Sequence, residues 1–269
     1  MGFSYNPTEF MLITAAQEIE DGDVVVTGQG FPTVAAILAK EFFTPNAILL
    51  TEAGMVDYTP VSSPIHIADP TALKSYSYSC DILDIFSVIL NRGFVDVSFL
   101  GVGQVDKYGN LNSSILGDYA KPRMIMAGAG GAPEFLSYSR KVILTMRSGK
   151  FVEKLDYLCS SGFITGGKAR EESGHFHIPG GPAALISTKG LFRFDKDTHE
   201  MYLAAIMPGV TVQDVQQDIP WKLKISPDLT ELLPPTDDQK KFIRRFDPPS
   251  ALGRRVLMKI MEMNQASRK

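Results

Sequence analysis

The stretch of sequence that decides the fold runs from residue 24 to residue 54 and reads VVVTGQGFPTVAAILAKEFFTPNAILLTEAG. It begins with a β-branched run, Val24–Thr27, which predicts a buried strand. A glycine-containing turn follows, and then the Ala-rich residues 33–42 predict a helix. Residues 47–51 predict a second strand, buried on both faces, and this strand delivers the chain to Glu52.

The same alternation of helix and strand signals extends through the first half of the chain, as in a sheet with crossover helices. In the second half the strand signals lie closer together. Further helices are predicted at residues 9–19, 82–90, 211–216, 236–245 and from 252 onward, and further strands at 95–100, 141–146, 183–188, 190–195 and 200–206, with a strand-like alternation at 221–225. We therefore expect an α/β fold with a mostly parallel central sheet, helices on both faces and a strand-rich second half, forming one domain over residues 1–269.

Composition narrows the class of function. The chain has 269 residues, of which 44% are hydrophobic and 21% charged, and its formal net charge is −3, as in ordinary soluble globular proteins. No long basic block is present, so we expect neither nucleic acid nor a membrane surface as a partner. The first nine residues lack a signal-peptide pattern, and the default expectation is a cytoplasmic protein with small-molecule chemistry or protein partners.

Metal and thiol chemistry have weak support in the sequence. Cys80 and Cys159 match no CxxC or Cys/His spacing, so both are expected to be reduced and buried. Cys80 lies beside Asp81, an unpromising setting for a thiolate. His175 and His177 alternate in a strand-like segment that would place both on one face, yet no third ligand accompanies them. We predict no metal site.

Glu52 is the most informative single position. A carboxylate at the carboxyl end of a buried strand, followed within two residues by Gly54, stands where open α/β sheets place their active sites. The structural alternative is a glutamate that accepts hydrogen bonds from a nearby turn or pairs with an arginine. The pattern by itself leaves both readings open.

Two glycine loops are further candidates. Gly28 and Gly30 lie in a turn at a helix N-terminus, which suits a phosphate or carboxylate, although Thr33 departs from the GxGxxG pattern. In the second loop, Gly130 and Gly131 allow a ligand to approach the backbone and present amide donors to a developing negative charge. In both cases a tight turn that uses glycine for conformational reasons is the competing reading.

A fourth motif covers residues 101–112 and reads GVGQVDKYGNLN. Its central Asp-Lys-Tyr-Gly-Asn has the chemistry of a hairpin corner, which is its structural reading. Gln104, just before this corner, is harder to explain as part of a turn. No GxSxG motif occurs, so a serine hydrolase of that type is not supported.

Three of these motifs occur in a recognisable order: LLTEAGMVD at residues 49–57, GQVDKYGNLN at 103–112 and GAGGA at 128–132. Together they resemble the ordered motif set of family I coenzyme A transferases. The similarity looks continuous with β-type subunits of the glutaconate CoA-transferase kind, from residue 25 through the glycine-rich residues 160–181 to residues 189–195 and 201–205. It covers most of the chain.

The resemblance implies a chemistry for Glu52. In this family the matching glutamate attacks an acyl-CoA thioester, forms an acyl-glutamyl anhydride and then a glutamyl-CoA thioester, and passes CoA to a second carboxylate. The resemblance also implies a CoA thioester as substrate, no permanently bound cofactor or metal, and a homologous α-type partner in an αβ or α2β2 assembly. The CoA- and substrate-binding residues that it implies are Gly28, Gly30, Gly54, Gln104, Gly128, Gly130, Gly131 and Ala132.

One departure from the family pattern keeps alternatives open. The family usually has Ser or Asn between the glutamate and the glycine, whereas this chain has Ala53. Relatives of the same fold hydrolyse, ring-open or decarboxylate CoA esters, although the ring-opening hydrolases generally lack the glutamate. A non-enzymatic scaffolding subunit is the third hypothesis, in which the glycine loops are only turns.

Overall fold

The computed structural model describes residues 6–28, 30–60, 69 and 75–246. The helix predicted from residue 252 onward and Gln29 of the first glycine loop lie outside these residues. The described helices are α1 Pro7–Ala16, α2 Phe31–Phe42, a π-helix Asp84–Leu90, α3 Ala132–Tyr138, α4 Ala169–Glu172, α5 Val212–Gln216 and α6 Asp237–Phe246.

The described strands include those predicted from the sequence and several short ones that were not. They are β1 Val24–Thr27, β2 Ile48–Thr51, β3 Met55–Val56, β4 Tyr78–Ser79, β5 Val97–Gly101, β6 Gln104–Val105, β7 Leu111–Asn112, β8 Ile115–Gly117, β9 Pro122–Ile125, β10 Lys141–Met146, β11 Lys150–Phe151, β12 Pro182–Ser187, β13 Gly190–Phe194, β14 Met201–Ile206 and β15 Lys224–Glu231. No strand is predicted from the sequence at β3, β4, β8, β9 and β11, whereas β6 and β7 belong to the motif whose structural reading was a hairpin corner.

Ten strands form the central sheet, in the order β15-β14-β13-β12-β10-β5-β1-β2-β3-β4. The five central neighbours, β12, β10, β5, β1 and β2, are all parallel. Antiparallel strands β13 and β14 extend one side, and β3 and β4 extend the other. The predicted α/β class, with a mostly parallel central sheet and a strand-rich second half, is confirmed.

The parallel strands form the centre of the core because their side chains are apolar on both faces. Val25, Leu49, Val97 and Ile143 are fully buried on four neighbouring strands. Helices α1, α2 and α6 pack on one another, whereas α3 packs against the π-helix and β5.

Three local predictions require correction or refinement. The helix predicted at residues 82–90 is a π-helix, Asp84–Leu90. The segment that contains His175 and His177 is not a strand; instead His177 Nε2 lies 2.8 Å from the carbonyl oxygen of Asn91. Both cysteines are free, as predicted, but they are half-buried rather than buried.

The predicted cap at Thr211 is confirmed, because its side chain and that of Asp214 form a reciprocal capping box.

Candidate active site

The centre of the candidate site is the edge where β1 and β2 end side by side. Thr27 and Thr51, the last residues of these parallel strands, are register partners. Gly28 and Glu52 follow them directly and therefore leave the sheet at the same edge. This edge, at the carboxyl ends of parallel strands, is where α/β sheets bind ligands.

Glu52 is half-buried, and burial raises the pKa of its carboxyl, with a further upward contribution from the negative charge of Glu134. Among the described residues, Glu52 has no hydrogen-bond donor or cation as a partner. The structural role considered for it, a turn acceptor or an arginine ion pair, therefore has no support in this part of the chain. A desolvated carboxylate without a partner is stabilised less than one in water, which increases its tendency to react with an electrophile or a proton.

Gly54 shapes the turn that follows Glu52. Its φ is +99°, and a Cβ at this position would lie 1.8 Å from the carbonyl oxygen of Cys80. The two segments are joined by a 3.0 Å hydrogen bond from the Cys80 amide to the Gly54 carbonyl. Only glycine permits both this backbone conformation and this close approach. The predicted site residue Gly54 thus holds the Glu52 turn against the end of β4.

The hydroxyls of Thr27, Thr33 and Tyr58 form a group of contacts at the ends of β1 and β2. Tyr58 is fully buried, and its Oη lies 2.5 Å from Thr27 Oγ1. Thr27 Oγ1 in turn donates a hydrogen bond of 3.2 Å to the carbonyl oxygen of Leu50. Thr33 Oγ1 donates to the carbonyl oxygen of Gly28 at 2.6 Å. Burial raises the pKa of the Tyr58 hydroxyl. These contacts fix the turn containing Gly28 relative to Glu52.

Gly30 ends that turn and begins α2. It is the residue before the helix, with φ +77°, and its carbonyl oxygen accepts a 3.2 Å hydrogen bond from the Val34 amide. A Cβ on Gly30 would meet no atom within 4 Å. Glycine is therefore favoured here by the positive φ and not by crowding. Of the sequence-predicted pair, Gly28 therefore leaves the sheet at the same edge as Glu52, and Gly30 stands at the start of α2.

The second glycine loop contains both engaged and unengaged amides. The Gly128 amide donates to the Ser113 carbonyl oxygen at 2.9 Å, and the Ala132 amide donates to the Ala129 carbonyl oxygen at 3.0 Å. The amides of Gly130 and Gly131 donate to no acceptor within the described ranges. Of the four residues predicted in this loop, Gly130 and Gly131 are thus the two that can offer N–H groups to a ligand.

Helix α3 connects this loop to Glu52. Glu134 lies in its first turn, and its charge contributes to the raised pKa of Glu52. Gly131 precedes the helix and contacts Phe86 of the π-helix so closely that an added Cβ would lie 2.7 Å from the Phe86 ring. The ring of Phe86 also packs 5.4 Å from that of Phe135 in α3. Packing against the π-helix therefore sets the position of the loop.

The motif around Gln104 is a hairpin, as its structural reading predicted. Strands β6 and β7 pair antiparallel, with Gln104 opposite Asn112. The buried Gln104 side chain donates to Asp156 at 3.1 Å and accepts from Asn112 at 2.7 Å. Next along the chain, Ser113 forms two hydrogen bonds with Gly128. Gln104 thus supports the second glycine loop through the hairpin, and its predicted contact with a ligand stays a prediction.

Arg170 anchors the other end of α3. This arginine is 6% exposed, and burial lowers the pKa of its guanidinium to about 10. Its Nη2 donates to the Leu136 carbonyl oxygen at 2.6 Å, and its Nη1 donates to the Gly162 carbonyl oxygen at 2.9 Å. Its guanidinium also lies 3.7 Å from the centroid of the Phe176 ring. The last turn of α3 is therefore tied to the glycine-rich segment after residue 160.

Sequence reasoning missed three parts of this arrangement: Glu134, the hydroxyl group around Tyr58, and Arg170. Glu134 had a usable signal, since Pro133 and Glu134 in the first turn are typical of a helix start. Tyr58 and Arg170 had none, because their partners are remote in sequence.

The described residues contain no group of three His, Cys, Asp or Glu side chains that could hold a metal ion. Burial and the nearby charges of Asp84 and Asp81 raise the pKa of the Cys80 thiol, in the direction expected from its acidic neighbour. Among the helices that the structure describes, none combines the length and apolar character needed to cross a membrane.

The fold and the site together define an α/β protein with a partnerless carboxylate and free backbone amides at the carboxyl edge of its parallel strands, within the part of the chain that the structure describes. The family model described as coenzyme A transferase matches residues 9–218, and the chain belongs to this family.

Three relatives illustrate the range of the family. The chain is 32% identical to the B subunit of glutaconate CoA-transferase from Acidaminococcus fermentans, over 92% of this chain and 95% of the relative. It is 31% identical to the B subunit of 3-oxoadipate CoA-transferase from Pseudomonas knackmussii, over 92% of this chain and 95% of the relative. It is 27% identical to the IpdB component of the cholesterol ring-cleaving hydrolase from Mycobacterium tuberculosis, over 93% of this chain and 97% of the relative.

The solved structures agree with these relatives. The crystal structure of glutaconate CoA-transferase from Acidaminococcus fermentans matches with a TM-score of 0.85 and 31% identity, over 92% of this chain and 97% of that chain. The fold expected from the sequence resemblance is therefore the fold of this family.

Proposed function

We propose that this chain is the β-type catalytic subunit of a CoA transferase, which moves CoA between an acyl-CoA and a small carboxylic or dicarboxylic acid. Glu52 is the nucleophile and carries CoA as a glutamyl thioester between the two halves of the reaction. The observation that carries this proposal is Glu52 itself: a half-buried carboxylate with a raised pKa and no partner among the described residues, at the ligand-binding edge of the sheet.

The reaction balances without water or a redox partner. The Glu52 carboxylate attacks the thioester carbon of the donor, and the C–S bond breaks to release CoA thiolate and leave an acyl-glutamyl anhydride. The thiolate then attacks the glutamyl carbon, which releases the donor acid and forms the glutamyl-CoA thioester. The acceptor carboxylate repeats the two steps in reverse order, so that CoA leaves on the acceptor and Glu52 is regenerated.

The environment of Glu52 suits these steps. Desolvation makes the carboxylate a stronger nucleophile than it would be in water. The tetrahedral intermediates carry a negative oxygen, and the free amides of Gly130 and Gly131 are donors of the type that stabilises such an oxygen. The amides of Gly130 and Gly131 do not need to be reorganised during the reaction. Phe86 already packs against their loop, and Arg170 already anchors α3, the helix that follows.

The proposal includes a homologous α-type partner. Both CoA-transferase relatives at 31–32% identity are named as B subunits, which supports a second chain. A partner chain would close the site over Glu52 and select the acyl group. The assembly is αβ or α2β2, and CoA thioesters are substrates rather than bound cofactors.

The test is exchange activity of the complex co-expressed with its α-type partner. A panel of acyl-CoA donors is assayed with and without acceptor acids. Glu52→Ala should lower exchange by at least about three orders of magnitude, because covalent catalysis is lost. Glu231→Ala, an exposed glutamate on the outer strand β15, serves as the matched control and should be as active as wild type.

A direct test looks for the intermediate. After the complex is mixed with acyl-CoA, mass analysis should find CoA attached to the peptide that contains Glu52. Undiminished exchange in Glu52→Ala would refute the assignment of the nucleophile.

A second candidate function is hydrolysis or carbon–carbon cleavage of a CoA ester, with Glu52 as a general base toward water or substrate. The full-length similarity to the ring-cleaving hydrolase component favours it, as does Ala53 in place of Ser or Asn. The two functions differ in the acceptor. A hydrolase turns over acyl-CoA without any acceptor acid and forms no CoA-bearing Glu52.

A further inference from the structure

The orientation of Glu52 depends on the backbone that carries it. Within the described ranges no donor or cation binds its carboxylate, so no side chain there aims it. A reacting group must be held within about 0.5 Å of its productive position, and a small misplacement costs much of the rate. The contacts that hold the end of β2, directly before Glu52, therefore bear on the reaction.

Tyr58 reaches across β2 to the end of β1. Its backbone follows β3, and its amide donates to the Leu49 carbonyl oxygen of β2 at 3.4 Å. In the sheet, β2 lies between β3 and β1. The Tyr58 Oη nevertheless lies 2.5 Å from Oγ1 of Thr27, the last residue of β1. The fully buried side chain therefore links three neighbouring strands at the edge where Glu52 leaves the sheet.

The hydroxyl hydrogen bonds of this link run in one direction. A threonine hydroxyl has a single proton, and that of Thr27 goes to the Leu50 carbonyl oxygen at 3.2 Å. The Tyr58 hydroxyl must therefore be the donor to Thr27 Oγ1. Burial raises the pKa of the Tyr58 hydroxyl, so it keeps this proton. A continuous chain of hydrogen bonds thus runs from Tyr58 through Thr27 to Leu50, two residues before Glu52.

Asp57, the residue before Tyr58, directs the tyrosine toward β1. Its φ is +52°, in the left-handed region that is unfavourable for a residue with a Cβ. Its carboxylate accepts hydrogen bonds from Lys40 Nζ of α2 at 2.8 Å and from Ser77 Oγ at 2.9 Å. These contacts hold the unfavourable conformation in place. Backbone strain that is held in this way is concentrated at functional sites.

We propose that Tyr58 is a positioning residue for Glu52, and that its hydroxyl acts through Thr27 and the Leu50 carbonyl to hold the end of β2 in the orientation that attacks the thioester. The proposal rests on the proposed function of Glu52. Tyr58 itself touches no substrate. Loss of its hydroxyl therefore disturbs the alignment of the nucleophile and leaves the contacts that bind the thioester in place.

The first test is the effect of Tyr58→Phe on kcat and KM in the co-expressed complex. The variant should lower kcat for CoA exchange by about 10-fold and change KM by less than about twofold, because alignment is lost while substrate binding persists. A residue that only stabilises the fold would lower the melting temperature and leave kcat per folded complex unchanged. That outcome, or a loss confined to KM, would overturn the proposal.

Tyr202→Phe is the matched control. Tyr202 is half-buried in β14, on the antiparallel side of the sheet and remote from β1. The control removes the same hydroxyl group from another strand. It should leave both kcat and KM at their wild-type values.

Variants of Thr27 test the middle of the chain of hydrogen bonds. Thr27→Val removes the hydroxyl at nearly constant shape and should lower kcat as Tyr58→Phe does, whereas Thr27→Ser keeps the hydroxyl and should retain most of the activity. Combining Tyr58→Phe with Thr27→Val should cost little more than either change alone, because both break the same link. Losses that multiply would show that the two residues act independently and would overturn the proposal.

A measurement without turnover separates this proposal from the proposed function. Hydrogen–deuterium exchange, followed by mass analysis, is measured for the peptide that contains residues 50–54. Faster deuterium uptake there in Tyr58→Phe, but not in Tyr202→Phe, would support the link even if the complex failed to transfer CoA. Unaltered uptake would reject the link, even if CoA transfer depended fully on Glu52.

Discussion

The carboxyl groups of Glu52 and Glu134 interact at the edge of the sheet, although they come from separate parts of the chain. Glu52 follows β2, and Glu134 lies in the first turn of α3. Burial is the larger cause of the raised pKa of Glu52, and the charge of Glu134 is the second. The negative charge of Glu134 therefore disfavours ionisation of Glu52, the proposed nucleophile.

Replacing Glu134 by Gln should lower the pKa of Glu52, because one of the two causes that raise it is removed. The acid limb of the pH profile of kcat/KM for acyl-CoA should therefore move to lower pH. Burial remains, so part of the upward shift should persist. Glu231→Gln on β15 is the control and should leave the profile in place. An acid limb that does not move in Glu134→Gln would show that the two charges are not coupled.

Replacing Glu52 by Gln should stabilise the protein at neutral pH. The folded protein holds a proton on Glu52 more tightly than the unfolded chain does, so stability falls as the pH rises from the ordinary pKa of 4.5 through the raised value. Below that window both states are protonated and the penalty disappears. Thermal melts of wild-type and variant complexes should therefore differ at pH 7 and converge near pH 4. Equal melting temperatures at pH 7 would mean that Glu52 ionises without cost.

Replacing Gly54 by Ala should destabilise the protein by about 3 kcal/mol, since it combines an unfavourable φ with a backbone clash. The added Cβ would force Cys80 away from the Glu52 turn, so exchange activity should fall as well. Gly22→Ala separates the two causes, because Gly22 has φ +92° but nothing within 4 Å of its Cβ. It should cost about 1 kcal/mol. Denaturant unfolding measures both, and equal losses would refute the clash.

Replacing Arg170 by Ala should cost about 3 kcal/mol, because the buried carbonyl groups of Leu136 and Gly162 lose their donor. Loosening of α3 should also reduce exchange, which Arg170→Lys should restore in part. Arg92→Ala, at an exposed arginine, should change the free energy of unfolding by less than about 0.5 kcal/mol. An Arg170→Ala protein as stable as Arg92→Ala would contradict the anchoring role.

Local signals were sufficient wherever a segment is stabilised by its own pattern. The β-branched run Val24–Thr27 and the apolar run Lys141–Met146 form strands at the predicted residues. Thr211 begins a helix as predicted, because its capping partner Asp214 lies only three residues away. At residues 82–90 the predicted helix forms, but residues 84–90 are a π-helix, which the local pattern did not distinguish and which accompanies the packing of Phe86 on Phe135.

The sequence by itself determined the α/β class, the position of Glu52 at the end of a buried strand and the glycine content of the two loops. These follow from periodicity and from spacing within about ten residues. Only the tertiary structure decided that the charge of Glu134 acts on Glu52, that Tyr58 lies against the ends of β1 and β2, and that Arg170 anchors α3. The physical reason is that burial, charge interaction and a common sheet edge depend on strand order and packing, which bring together residues that no local pattern connects.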